Sequence, residues 1–294
     1  LKNLEEINLS HNEISSIHDG AFYKLSKNIK EIDLSFNKIA NFKEEFLWLI
    51  VDNMLNTLLN INLQNNEISE WVVADKNKSS AVMLNLNLND NKLKSVEIKN
   101  IKIGKLSLSN NQIVDFNGTY EEIDITNNKI EKLRVSENCN IIKASNNRIS
   151  ELEFPTNKVQ ITILDFSYNN LKSTPKFNEF LKTQKNITSL DLSHNFFGFF
   201  NVDDFAEMEN LKELSLSENR ISEIPFGLFA HLKSLEMLNI SQNNLKNIDF
   251  HMFSSLGNLK TLDVSGNALT NIDQYEQLRV MMPQLTNINI EGEF

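Results

Sequence analysis

Residues 211–221 read LKELSLSENRI and residues 235–245 read LEMLNISQNNL, so the same pattern returns after 24 residues. Apolar residues occupy the first, fourth, sixth and last positions of the pattern, and an asparagine stands two places before its end. Apolar and polar residues alternate around the fourth to sixth positions, which is typical of a short strand with one buried face. Each copy therefore predicts one strand followed at once by a turn.

Twelve full copies lie between residues 4 and 269, and a partial copy follows at 285–294, where Glu293 takes the place of the asparagine. Such a recurrence is the signature of leucine-rich repeats. We predict an α/β leucine-rich-repeat solenoid, a curved horseshoe with a parallel concave sheet, one short strand per repeat, and an irregular, 3-10 or short helical convex side. Residues 1–294 are expected to form a single domain of about 13 repeats, a fragment without terminal caps.

The recurring asparagine is predicted to be structural. It follows the strand at the point where the chain turns inside the core, and a buried unpaired polar group costs ~1–3 kcal/mol. Its amide offers both donors and an acceptor to neighbouring turns. This asparagine ladder consists of Asn12, Asn37, Asn66, Asn91, Asn111, Asn128, Asn147, Asn169, Asn195, Asn219, Asn243 and Asn267.

Repeat length predicts what covers the back of each strand. The units of 24 residues carry F-x-x-L-x-x-L before the strand, as in Phe229-Leu232-Leu235, and these phenylalanines are expected to stack as a buried spine. The middle units, near 17–20 residues, leave room only for a thin, nearly extended outer wall. Two longer units are predicted to hold helices within 43–57 and 173–185, with Thr174-Pro175 as cap and first helical position.

Composition excludes several function classes. The net charge of −10 disfavours a nucleic-acid partner, and the longest apolar run, 46–51, is too short for a membrane segment. Cys139 is the single cysteine, so it forms no internal disulfide, and its position predicts a buried thiol. We expect no catalytic residue, no metal site and no cofactor. Asp165 and Asp191 could form a carboxylate pair, but nothing else in the sequence indicates acid–base chemistry.

The candidate binding surface is the concave face, onto which alternate strand residues point. Three rows of such positions hold ten acids against Lys105 and Lys143. One interpretation is that an acidic face steers a basic protein patch toward it; the other is that the face is polar only because it meets water. The candidate partner-binding acids are Glu6, Glu31, Asp33, Glu122, Asp124, Asp165, Asp191, Glu213 and Asp263.

Three aromatic residues are candidate edge contacts. Trp48 lies in an insert with apolar residues on more than one helical face, so it either packs against the core or anchors a partner. In the stretch HNFFGFF, 194–200, alignment with the next repeat places Phe197 and Phe200 in the core. Phe196 and Phe199 align with polar residues, so they either fold against local neighbours or contact a partner at an edge.

Five N-x-[S/T] sequences are candidate glycosylation sites if the chain is secreted. Asn77 and Asn117 are expected in exposed loops, and Asn186 is a further candidate. Asn8 and Asn239 lie on concave strands within the repeat pattern, where a glycan would obstruct the concave face.

The whole chain resembles animal extracellular leucine-rich-repeat proteins, on the phrase IHDGAFYKL (17–25) and the 24-residue units. Its short central units, from EEIDITNNKI (121–130) to LDFSYNNL (164–171), resemble the mosquito complement-like leucine-rich immune proteins. The chain shows neither the terminal caps and cap cysteines of that family nor its coiled-coil heptads. Insect Toll-like receptor ectodomains and neuronal adhesion proteins share the longer units.

The resemblance implies a secreted, non-enzymatic protein of insect innate immunity. Its partners would be proteins, either a related leucine-rich-repeat chain or a thioester-containing complement-like protein. The alternative is the ectodomain of a Toll-like or adhesion receptor. No cofactor is implied by either.

Overall fold

A computed structural model describes residues 3–18, 21–22, 27–52, 58–74, 77, 80, 82–155, 159–270, 278 and 280–291. The chain divides into two compact units, Leu1–Cys139 and Asn140–Phe294. The end of the first predicted helical insert, 53–57, and the last residues of the partial repeat, 292–294, lie outside the described residues.

The first unit is built from short strands and one helix, α1 (Glu44–Val51). Its strands are β1 (Glu6–Asn8), β2 (Glu31–Asp33), β3 (Leu58–Asn62), β4 (Trp71–Val73), β5 (Met83–Asn87), β6 (Ser95–Ile98), β7 (Lys102–Ser107), β8 (Asp115–Asn117), β9 (Glu122–Asp124) and β10 (Lys132–Arg134).

The second unit holds α2 (Pro175–Leu181) and a 3-10 helix (Phe250–Phe253). Its strands are β11 (Ile141–Lys143), β12 (Glu151–Glu153), β13 (Ile163–Asp165), β14 (Ser189–Asp191), β15 (Glu213–Ser215), β16 (Met237–Asn239), β17 (Thr261–Asp263) and β18 (Asn287–Asn289).

In both units the repeat strands are parallel, and each strand pairs with the strand of the next repeat. The order is β1-β2-β3-β5-β7-β9 in the first unit and β11-β13-β14-β15-β16-β17-β18 in the second. The central residue of each strand points into the core; Leu190, Leu214 and Leu238 are at most 1% exposed. Burying one such side chain contributes ~1.5–3 kcal/mol, and stacked repeats share that core. This parallel arrangement confirms the predicted leucine-rich-repeat solenoid.

The outer wall changes with repeat length, as the sequence predicts. In the first unit a second parallel sheet of extended chain is formed by β6 and β8, which lie in the short repeats, together with β4 from the longer repeat before them. In the second unit the 24-residue repeats instead bury phenylalanines, with the Phe229 and Phe253 rings stacked at 6.1 Å between centroids. Helix α2 begins as expected, because the backbone N–H of Phe177 donates to Thr174 Oγ1 at 3.3 Å and Pro175 is its first residue.

The turn after each repeat strand requires an unusual backbone conformation. The residue before the ladder asparagine adopts a positive φ, for example 54° at Phe36 and 53° at Tyr168, and the same position is glycine at Gly266 with φ 63°. Non-glycine residues seldom adopt this left-handed region. The hydrogen bonds of the neighbouring asparagine hold the turn in place despite that preference.

Candidate functional site

The ladder asparagines connect the turns of successive repeats. Asn66 Nδ2 donates to the carbonyl oxygens of Leu63 at 3.0 Å and Gln64 at 3.3 Å in its own turn, and to that of Leu34 in the preceding repeat at 3.0 Å. Its Oδ1 accepts from the backbone N–H of Ile39 at 3.0 Å. Most ladder side chains are buried in this way, whereas Asn12 is exposed and Asn147 half-buried. These contacts assign them to the scaffold rather than to a binding surface.

In each unit the candidate acids occupy two positions on one face of the parallel repeat strands. The leading row consists of the residues that occupy the position of Glu6 in each repeat strand, and the middle row consists of the residues two places later. Together the two rows form what we call the polar sheet face. Register places like charges side by side, with Glu6 opposite Glu31 on β1 and β2, and Asp165 opposite Asp191 on β13 and β14.

Middle-row aspartates are engaged in the turns that follow their strands. Oδ1 of Asp33 accepts a hydrogen bond from the backbone N–H of Ser35 at 2.8 Å, and Asn8 makes the same contact to Ser10 at 3.0 Å. This is the local turn that short Asp and Asn side chains favour. Each middle-row aspartate accepts this hydrogen bond from the backbone N–H two residues later. The five are Asp33, Asp124, Asp165, Asp191 and Asp263.

Leading-row glutamates have a different environment. Glu6, Glu31 and Glu213 are exposed, and Glu122 is half-buried. Glu213 accepts a hydrogen bond from Ser189 Oγ at 3.3 Å, whereas the carboxylates of Glu6, Glu31 and Glu122 make no hydrogen bond or ion pair with a residue that the structure describes. Of the nine predicted acids, Glu6, Glu31 and Glu122 are therefore the ones whose carboxylates make no bond to a described residue.

Trp48 does not suit the role of a partner anchor. Its side chain is 4% exposed on helix α1, between Leu47 at 0% and Leu49, which is half-buried. Its indole N–H has no hydrogen-bond partner in the described residues. The insert therefore packs inward with most of its apolar residues, since a short helix with apolar residues on more than one face can bury them only against the core.

Phe196 and Phe199 differ from each other. Phe196 is half-buried, and the guanidinium of Arg220 lies 4.4 Å from its ring centroid, so this ring has a local partner. Phe199 is 56% exposed, although its backbone carbonyl accepts from Ser173 Oγ at 2.6 Å. Phe197 and Phe200 are at most 3% exposed, as the register predicts. Phe199 alone of the four presents an open ring.

The candidate glycosylation sites also differ in exposure. Asn77, Asn117, Asn186 and Asn8 are exposed, whereas Asn239 is half-buried on β16. Asn239 Oδ1 accepts from both the backbone N–H and the hydroxyl of Ser241, at 3.0 and 2.7 Å, and Asn8 does the same with Ser10. At these two sites the serine of the N-x-S sequence belongs to the turn of the repeat. Glycosylation of all five stays a prediction.

Two pairs of stacked aromatic rings lie at the ends of repeat strands, and the sequence analysis did not include them in the candidate site. All four rings belong to positive-φ residues that precede ladder asparagines, so their position in the repeat could have identified them. The rings of His11 and Phe36 stack at 4.3 Å, and those of Tyr168 and His194 at 3.6 Å. His194 Nδ1 lies 2.9 Å from a carboxylate oxygen of Glu218. Phe36 and Tyr168 remain 44% and 53% exposed.

Chemistry other than binding has little support among the described residues. No group of three or more His, Cys, Asp or Glu side chains there could hold a metal ion. Cys139 is 2% exposed. The described helices include none with the length and apolar character to cross a membrane.

Solved structures with the same fold include the leucine-rich repeat domain of APL1, with a TM-score of 0.74 and 19% identity over 99% of this chain and 74% of that one. The crystal structure of the LRIM1/APL1C complex matches with a TM-score of 0.72 at 19% identity, over 99% of this chain and 60% of that one. The Drosophila Toll–Spatzle complex gives 0.69 at 21% identity, over 100% of this chain and 42% of that one. At such identities the likeness shows the fold alone.

A search of curated protein sequences finds no match. The family model for the leucine-rich repeat matches residues 1–49 and, in overlapping segments, 185–245, 209–269 and 237–292. These segments cover more than half of the chain, and the asparagine ladder and parallel repeat strands described above are the features that such a repeat requires. The chain therefore belongs to the leucine-rich-repeat family.

Proposed function

We propose that this chain is a non-enzymatic, extracellular module that recognises a protein partner through the leading row of its polar sheet face. The observation that carries the proposal is the contrast between the rows. The carboxylates of Glu6, Glu31 and Glu122 bond to no described residue, whereas Asp33 and Asp124, on the strands of Glu31 and Glu122, accept hydrogen bonds from the turns that follow. Unpaired surface carboxylates on one sheet attract a basic partner and orient it.

Two of the similar structures are complexes with a protein, LRIM1/APL1C and Toll–Spatzle, and they support a protein partner for this chain. The net charge of −10 opposes the approach of phosphate backbones. We infer a role in insect-type innate immunity, with a complement-like factor or a related leucine-rich-repeat chain as partner. Secretion and glycosylation at the exposed sequences belong to the same proposal.

A receptor ectodomain is the second candidate, favoured by the match to Toll along the full length of this chain. The two candidates differ in what a full-length transcript encodes after residue 294. About 20 consecutive apolar residues would favour the receptor, and coiled-coil heptads would favour the secreted protein.

The test is capture from insect haemolymph with two matched sets of variants. One set changes Glu6, Glu31, Glu122 and Glu213 to glutamine. The other changes Asp33, Asp124, Asp191 and Asp263 to asparagine, so both sets remove the same charge. Proteins held by the wild type should persist with the aspartate set and disappear with the glutamate set. Equal retention by both sets, or no specific capture by the wild type, would reject the proposal.

A further inference from the structure

A cavity of about 270 Å³ opens on the polar sheet face of the first unit, where β3, β5 and β7 pass. Here the acidic rows are interrupted. Leading and middle positions on β3 and β5 are asparagines, and those on β7 are Lys105 and Ser107. The polar side chains lining the cavity are Glu31, Asn60, Asn62, Asn85, Asn87, Lys105 and Ser107.

Hydrogen bonds to the backbone orient the amides of this cavity. The backbone N–H of Lys105 donates to Asn85 Oδ1 at 3.0 Å, so Asn85 must present its Nδ2 on the other side. That Nδ2 donates to Asn60 Oδ1 at 2.9 Å. The Asn60 amino group is then left as a donor, and it bonds to no residue that the structure describes.

Asn62 is oriented in the same manner. Its Oδ1 accepts from the backbone N–H of Gln64 at 3.2 Å, and its Nδ2 has no partner in the described part of the chain. The carboxylate of Glu31 and the ammonium of Lys105 likewise make no hydrogen bond or ion pair with described residues, and they lie on either side of the amides with two strands, β3 and β5, between them. The cavity thus offers two amide donors, one cation and one anion.

Gly104 makes this arrangement possible. The pairing of β5 with β7 shifts register between Leu84 and Leu86, which brings Gly104 under Asn85. A Cβ at Gly104 would lie 2.8 Å from Asn85 Oδ1 and 3.0 Å from Met83 Sδ. Any side chain there would push the oriented amide out of place, since real Cβ contacts are almost never so short.

We infer that the cavity binds a sugar ring of a neutral saccharide. Hydroxyl groups both donate and accept, so they can pair with the free amino groups of Asn60 and Asn62 and with the Glu31 carboxylate at once. The single positive and single negative charge balance, whereas the acids on β2 and β9 repel an anionic ligand and Lys105 repels a cationic one. Pockets for drug-sized ligands measure roughly 300–1,000 Å³, and the cavity of about 270 Å³ lies just below that range, which suits a single sugar ring.

The cavity shares Glu31 with the proposed protein-binding surface, so the test changes two other lining residues. The variants Asn60→Asp and Asn62→Asp separate saccharide binding from binding of the protein partner. Each keeps the Oδ1 that accepts its present hydrogen bond and loses the free amino group. Asp33 already makes the turn bond that Asp at position 62 would make, so Asn62→Asp should fold normally. The matched control is Asn239→Asp, at the same repeat position on β16, outside the cavity.

The experiment is saturation-transfer NMR on the unglycosylated chain with a panel of neutral monosaccharides and disaccharides, together with glucosamine and sialic acid as charged probes. We expect transfer to at least one neutral sugar, with affinity about tenfold weaker in Asn60→Asp and Asn62→Asp, as for one lost hydrogen bond, and unchanged in Asn239→Asp. Transfer to no neutral sugar, transfer to charged probes alone, or equal affinity in all variants would overturn the inference. Loss of sugar binding with partner capture intact would leave the proposed function standing.

Discussion

The leading and middle rows of the polar sheet face stand two residues apart on the same strands, and their acids are glutamates in the leading row and aspartates in the middle row. In Asp33 and Asp191, one carboxylate oxygen accepts a hydrogen bond from the backbone of the following turn, at 2.8 and 2.9 Å. The carboxylates of Glu6 and Glu31 bond to no described residue. A hydrogen bond to the following turn, rather than charge, distinguishes the two rows on this face.

Substitution of a buried ladder asparagine should have the largest effect on the free energy of unfolding. Asn66→Ala should lower the free energy of unfolding by about 3 kcal/mol, because it leaves buried carbonyls and the Ile39 N–H without their partner. Asn12→Ala is the control, since Asn12 is exposed and donates only within its own turn. Urea denaturation followed by circular dichroism measures both. Equal changes for the two variants would contradict a role set by burial.

A smaller loss is expected from the middle row. Asp191→Ala should cost about 1 kcal/mol, because the backbone N–H of Ser193 loses its acceptor. Asp191→Asn should leave stability within about 0.5 kcal/mol of the wild type, since Asn239 makes the equivalent bond with an amide. Urea midpoints decide between them. If the asparagine variant is as unstable as the alanine variant, the charge and not the turn bond matters, and the contrast between rows fails.

The leading row should respond in the opposite direction. Glu31→Gln removes a charge that lies opposite Glu6 in register, so we expect a stabilisation of roughly 0.5 kcal/mol or less at low salt. Added salt should remove the difference, because exposed charges are screened. Thermal melts at low and high ionic strength measure it. A clear destabilisation would show that Glu31 is part of the scaffold.

The smallest effect concerns ion pairs on the surface outside both rows. The hydrogen bond and charge of Lys260 hold the pKa of Glu236 below its ordinary value of 4.5. A depressed carboxylate pKa stabilises the fold above the ordinary value, and that contribution is lost as pH falls through the pKa of the folded state. Lys260→Met should therefore lower the melting temperature slightly near neutral pH and not at strongly acid pH. The same difference at both pH values would argue against the pair.

Much of the scaffold follows from the sequence alone. Asn66 and Phe229 follow from repeat position, because one repeat cannot bury its own turns or rings. The helix start at Thr174-Pro175 follows from the preference of Thr for the cap and of Pro for the first helical position. The division of the chain into two compact units does not follow from the repeat count, and the prediction of a single domain stays a prediction.

The site was harder to predict because the pattern gives the direction of a side chain but not its partners. Asp33 and Glu31 both point to the polar sheet face, and only atomic distances show that one is bonded to Ser35. Trp48 appeared as a possible anchor because its helix is apolar on more than one side, and its burial became visible only with the packing of α1.

The most direct test of the difference between the rows is the kinetics of a captured partner on the two matched sets of variants used for capture. Both sets remove the same charge, so the association rate should fall similarly in each as long-range attraction weakens. The dissociation rate should rise about tenfold for the glutamate set and stay close to wild type for the aspartate set, since lost contacts act mainly on dissociation. Equal dissociation rates for the two sets would contradict the account.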